Sequence, residues 1–87
     1  SLYRARAVDA SMRSDLKNAA LAMENYYGEL LAYPSTEASI TLYGYRKTSG
    51  VTMTITLPPP STYSLTAARA SGSQASFTYD STTGLIN

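Results

Sequence analysis

Apolar and polar positions along this chain alternate in two successive periods. From Leu2 to about Ala32, Val8, Met12, Leu16, Ala19, Ala20, Met23, Tyr27, Leu30 and Leu31 recur at threes and fours. That spacing gathers side chains on one face of an α-helix, and the segment predicts an amphipathic helix over residues 1–32. Some 30 residues at about 1.5 Å each make a helix about 45 Å long, more than a small core needs. The first turns, Leu2 to about Val8, are therefore expected to protrude and to need another partner. Gly28 weakens the helix by about 1 kcal/mol, but Leu30 and Leu31 continue the apolar face beyond it. Pro34 disfavours helical angles at Tyr33 and ends the helix there.

From Val51 the period becomes 2. Val51, Met53, Ile55 and Leu57 alternate with Thr52, Thr54 and Thr56, the pattern of a strand with one buried face. Pro58-Pro59-Pro60 closes that strand, since proline brings no donor to a ladder. Tyr63, Leu65 and Ala67 make a second alternating run, and Ala75, Phe77 and Tyr79 make a third after the Ser71-Gly72-Ser73 turn. Residues 33–50 read as a semi-ordered loop in which Ile40 to Tyr43 alternate briefly like a short strand. The expected fold class is α+β: a long N-terminal α-helix packed on a three-stranded antiparallel β-meander. The inner strand faces would cover the Met12 to Leu31 stripe and leave the Thr/Ser faces wet. The whole chain, 1–87, is read as one domain: helix 1–32, connecting loop 33–50, sheet and tail 51–87.

Composition narrows the chemistry. Of the 87 residues 44% are apolar and 15% charged, with eight Tyr, one Phe and no Trp, as in a folded rather than a disordered chain. Seven Lys and Arg against six Asp and Glu leave a net charge of +1 without a basic run, so no direct nucleic-acid binding is expected. With no Cys and no His, disulfides and the usual zinc and iron ligands are out of reach, as is the commonest general base. No enzyme activity, cofactor or metal is predicted. Asp9, Asp15, Glu24 and Glu29 are read as solvated carboxylates on the polar helix face, with Asp9 four residues before Arg13 as an exposed ion pair. Asp80 before Ser81-Thr82-Thr83-Gly84 reads as a turn rather than a calcium loop. No apolar run of membrane-spanning length is present, and a chain that opens in helix-compatible sequence is expected to continue a longer helix.

Particular residues carry a family resemblance. Tyr3-Arg4-Ala5-Arg6-Ala7-Val8-Asp9-Ala10, Ser14 to Ala20, Glu24-Asn25-Tyr26-Tyr27 and Tyr33-Pro34 together resemble the second half of the N-terminal helix of bacterial type IV pilins. Thr62 to Ala67 and Phe77 to Ile86 are similar to the strands and tail of pilins and pseudopilins. The resemblance implies a structural subunit that self-assembles into a helical extracellular filament serving adhesion, motility or DNA uptake. It implies pilus assembly machinery as a partner, and an apolar half-helix upstream that holds the subunit in the inner membrane before assembly. A type II secretion pseudopilin and a surface-binding minor pilin are the alternatives. The candidate subunit-interface residues are Leu2, Tyr3, Arg4, Arg6 and Val8 at the helix start, and Tyr26, Tyr27, Tyr33, Tyr43 and Tyr45 at its end and in the loop. Two readings of the tyrosines stay open, a hydrogen-bonded core rim and a subunit contact. Arg4 and Arg6 likewise read either as a solvated face or as partners for acidic groups on neighbouring helices or membrane phosphates. Lacking a disulfide, the tail must be held by Leu85 and Ile86 or be mobile.

Overall fold

The 3.6-residue stripe becomes α1 (Leu2–Leu30) in a computed structural model that describes residues 1–87. Ser1 caps it, its hydroxyl accepting from the Arg4 backbone N–H at 3.2 Å; such a cap satisfies one of the donors that a helix start leaves free. The other end falls two residues short of Ala32. Leu31 turns left-handed (φ 58°) and its N–H donates to Tyr27 O at 2.8 Å. A left-handed leucine costs about 1–2 kcal/mol. The reversal lets Tyr33 fold back onto the helix, its ring 4.7 Å from that of Tyr27 and its hydroxyl donating to Glu24. In consequence Leu30 and Leu31 stand exposed, and the buried stripe ends at Met23 instead of running to Leu31.

In the connection, the expected strand-like stretch Ile40 to Tyr43 is replaced by a short helix, α2 (Glu37–Thr41). Thr36 caps it by accepting from Ser39 N–H at 3.3 Å, and Glu37 sits favourably in its first turn. Ile40 alone plugs α2 into the core, while Leu42 faces outward. The alternation of Ile40 and Leu42 has no strand to pair with, because β1 is hydrogen-bonded only to β2.

Four strands follow: β1 (Thr52–Thr56), β2 (Ser64–Ala68), β3 (Ser76–Asp80) and β4 (Leu85–Ile86), in the order β1-β2-β3-β4 with every pair antiparallel. The meander therefore holds one strand more than the three expected. Asp80 builds the last hairpin: its Oδ1 accepts from Thr82 N–H at 2.8 Å and its carbonyl from Gly84 N–H at 2.8 Å. Gly84 takes φ 72°, a conformation open to glycine. Asn87 then exchanges backbone hydrogen bonds with Thr78 at 2.9 and 3.1 Å, so the tail is pinned by strand pairing, with Ile86 packed on the core.

The core lies between α1 and one face of the sheet. Met12, Leu16, Ala19 and Met23 from the helix meet Met53, Tyr63, Leu65, Ala67 and Phe77, joined by Ile40, Tyr45 and Val51. Register places Thr54, Thr66 and Thr78 in one row on the opposite face, with the last two hydroxyls 3.2 Å apart. This two-layer body is 43 Å along its longest axis and 15 Å along its shortest.

Candidate subunit interface

Three helix carboxylates read as solvated are instead fasteners. Asp9 is buried, and accepts both the backbone N–H (2.8 Å) and the hydroxyl of Ser73 in the β2–β3 turn. Those bonds hold its carboxyl below the usual carboxylate range. Gly72 makes the approach possible: a Cβ there would lie 2.7 Å from Asp9 Oδ1 and 2.9 Å from Met12 Cε. Asp15, also buried, accepts the N–H of Thr48 at 2.7 Å and its hydroxyl at 2.9 Å, fixing the loop that leads into β1. Glu24 is exposed but gathers two phenols, Tyr63 at 3.0 Å and Tyr33 at 3.1 Å. The expected Asp9–Arg13 pair does not form: Asp9 turns to Ser73, and the Arg13 guanidinium lies 4.6 Å over the Phe77 ring, a cation–π contact. Each carboxylate thus ties the helix to a different loop.

The candidate interface residues separate into two groups at opposite ends of α1. Leu2 and Tyr3 are 63% and 83% exposed, and Arg4 and Arg6 stand in solvent beside them. Val8 differs. It is buried in its own core, which makes Ala7 the last uncovered residue of the protruding segment.

At the far end the tyrosines form two clusters. Tyr27, Tyr33, Tyr63 and Tyr79 make a chain with ring centroids 4.7, 4.7 and 6.0 Å apart, while Tyr26 meets Tyr43 edge-on at 5.1 Å. Tyr26, Tyr27, Tyr33 and Tyr43 keep part of their surface open, as a hydrogen-bonded rim does. Burial first, and then the Glu24 hydrogen bond, push the Tyr63 phenol far above its ordinary range; burial also raises Tyr33. Tyr43 is raised first by the neighbouring Glu29 carboxylate. Tyr45 is fully internal, its hydroxyl without a hydrogen-bond partner. Burial, together with the charge of Asp15, keeps it protonated well beyond the usual tyrosine range.

Sequence reading missed a second helix stripe. Tyr3, Ala7, Ala10, Ser14 and Leu21 recur at spacings of three, four and seven, and all five are exposed on the side of α1 turned away from the sheet. Small residues in its middle permit close approach of another helix, and Leu21, 63% exposed, adds an apolar end. The heptad-like spacing was the available signal, overshadowed by the larger side chains of the inner stripe. A separate shallow groove of mixed polarity lies between Leu31 to Tyr33 and Leu57 to Thr62. No helix of the chain is long and apolar enough to cross a membrane.

No protein-family model and no curated protein sequence matches the chain. Among solved structures, a type IV pilin protein from Thermus thermophilus superposes with a TM-score of 0.69 at 17% identity, over 91% of this chain and 94% of that one. The long helix on an antiparallel sheet is therefore a type IV pilin fold.

Proposed function

We propose that this chain is a structural subunit of a type IV pilus-like extracellular filament, built by self-association through α1. The observation that carries the reading is the helix's outer stripe. Tyr3, Ala7, Ala10 and Ser14 form an exposed run that the sheet leaves bare, with Leu21 on the same side beyond Lys17 and Asn18, on a helix that begins two turns before its own core does. A monomer gains nothing from an exposed Leu21 and Tyr3, whereas a helix shared between a sheet on one side and neighbouring helices on the other uses both faces. The likeness in fold to a pilin supports the same reading. Its function is mechanical: the sheet and the connecting loop face outward, and the fibre serves adhesion, motility or DNA uptake. Before assembly the subunit would wait in the inner membrane, handed on by pilus assembly machinery, with an apolar segment of about 20 residues encoded upstream of Ser1.

The test is to shear filaments from cells that express the gene and to identify their subunit by mass spectrometry and antibody labelling. Filaments carrying this chain along their length support the proposal. Its absence from every surface fibre overturns it, and recovery only from short fibres dependent on a secretion system would assign it as a pseudopilin instead. A surface-binding minor pilin is favoured by one feature, the Thr54, Thr66 and Thr78 row on the open sheet face; specific hits on a glycan array would support it.

A further inference from the structure

Exposed charge on α1 is sorted by position. Arg4, Arg6, Arg13 and Lys17 occupy the first half, where the only carboxylates, Asp9 and Asp15, are buried and bonded to Ser73 and Thr48. Beyond Lys17 the helix carries Glu24 and Glu29 and no base. The first turn has no acid and the last no base, the reverse of the arrangement that stabilises an isolated helix, whose N-terminal end is positive and C-terminal end negative. Charge and macrodipole thus add up, and the subunit is polarised along its 43 Å axis.

The positions also match in rotation. At about 100° per residue, Arg6 and Glu24 lie on one flank of the outer stripe, five turns and about 27 Å apart. Arg4 and Glu29 lie on the other flank, about seven turns and roughly 37 Å apart. Within one subunit neither pair can meet.

We propose that neighbouring copies lie parallel with α1 staggered along the fibre, so that Arg6 of one copy meets Glu24 of a second on one flank, and Arg4 meets Glu29 of a third on the other. The inference rests on the filament reading and adds the register of its subunits. Contacts of this kind are heterologous and do not close, as a fibre requires. An antiparallel arrangement pairing Arg6 with Glu24 would set Lys17 beside Arg13 of its mate, like charge on like, which disfavours it.

The chain has no Cys, so Arg4→Cys with Glu29→Cys, in filaments made by cells expressing the full-length gene, can be joined by a short bismaleimide. A ladder of covalent oligomers is expected from the double variant, and monomer alone from either single variant. Charge reversal supplies a second readout that keeps the fold intact, since the side chains of Arg4 and Glu29 are both exposed. Arg4→Glu or Glu29→Arg should lower the filament count at least tenfold, and the two together should restore it. Filaments with no ladder, or with products that stop at the dimer, overturn the register while leaving the filament reading standing. So do single reversals that assemble like the unaltered chain. If the unaltered chain enters no filament, the filament reading itself fails and the register falls with it.

Discussion

The two faces of α1 share one backbone and nearly the same spacing of side chains, yet only one of them is used within the subunit. The inner face presents Met12, Leu16 and Met23, none of them accessible to solvent, and is fastened by Asp9 and Asp15 to loops on either side. The outer face presents Ala7, Ala10, Ser14 and Leu21 to water. Fold stability is therefore concentrated in one half of the helix circumference, and the other half is free to vary without unfolding the domain. Substitutions that affect the isolated domain and substitutions that affect its assembly should fall on opposite sides of the same helix.

The largest expected effect tests the inner face. Leu16→Ala should lower the unfolding free energy of the domain by about 2–5 kcal/mol, the range for a fully buried leucine, whereas Leu21→Ala should stay within about 0.5 kcal/mol of the unaltered domain. Urea titration of both variants checks the contrast, and equal losses would erase it. Next in size is the Asp9 fastener. Gly72→Ala forces a Cβ against Asp9 Oδ1 and Met12, and should cost about 1–3 kcal/mol; the amide of Ser73 should then exchange with solvent faster. Smaller, and opposite in sign, is Gly28→Ala. No atom lies within 4 Å of the Cβ it would add, so the isolated domain should gain about 0.8–1 kcal/mol from helix propensity.

Titration sharpens the same contrast, because the perturbed groups sit on the inner side of α1, in the core and in the β3–β4 hairpin, and none on the outer face. The carboxyls of Asp9 and Asp80 are depressed by hydrogen bonds to Ser73 and Thr82. Their contribution is full above the unfolded carboxylate value near 3.9 and is lost as pH falls through the depressed native values. The raised phenols of Tyr63 and Tyr45 act the other way. Their contribution is full below the unfolded tyrosine value near 10 and declines as pH rises above it. Urea midpoints measured from pH 2 to 11 should accordingly fall at both ends and remain level between about 5 and 9.

Much of the inner half was legible in the sequence. Periods of 3.6 and 2 located α1 and the first three strands, and proline and glycine placed the breaks. The helix arithmetic anticipated that the first turns would outrun the sheet, although Val8 proved to be the first core residue and not part of the free end. What stayed hidden depends on contacts across the chain. Asp9 and Ser73 are 64 positions apart, and Asp15 and Thr48 are 33 apart, so nothing local distinguishes these carboxylates from solvated ones. The left-handed Leu31 defied local preference because Tyr33 gains the Tyr27 and Tyr63 rings and Glu24 by turning back. β4 is only two residues long and carries too little pattern to read. The outer stripe escaped notice because its middle is alanine and serine, which leave a weak hydrophobic signal even when their spacing is regular.

Ala10 lies at the middle of that stripe, exposed and without a role in the core. The most direct test is to count surface filaments in cells expressing the full-length gene with Ala10→Arg, alongside the urea midpoint of the isolated variant domain. An unchanged midpoint with filaments reduced at least tenfold is the predicted result. Filaments in normal number, containing the variant subunit, would contradict assembly through the outer face of α1.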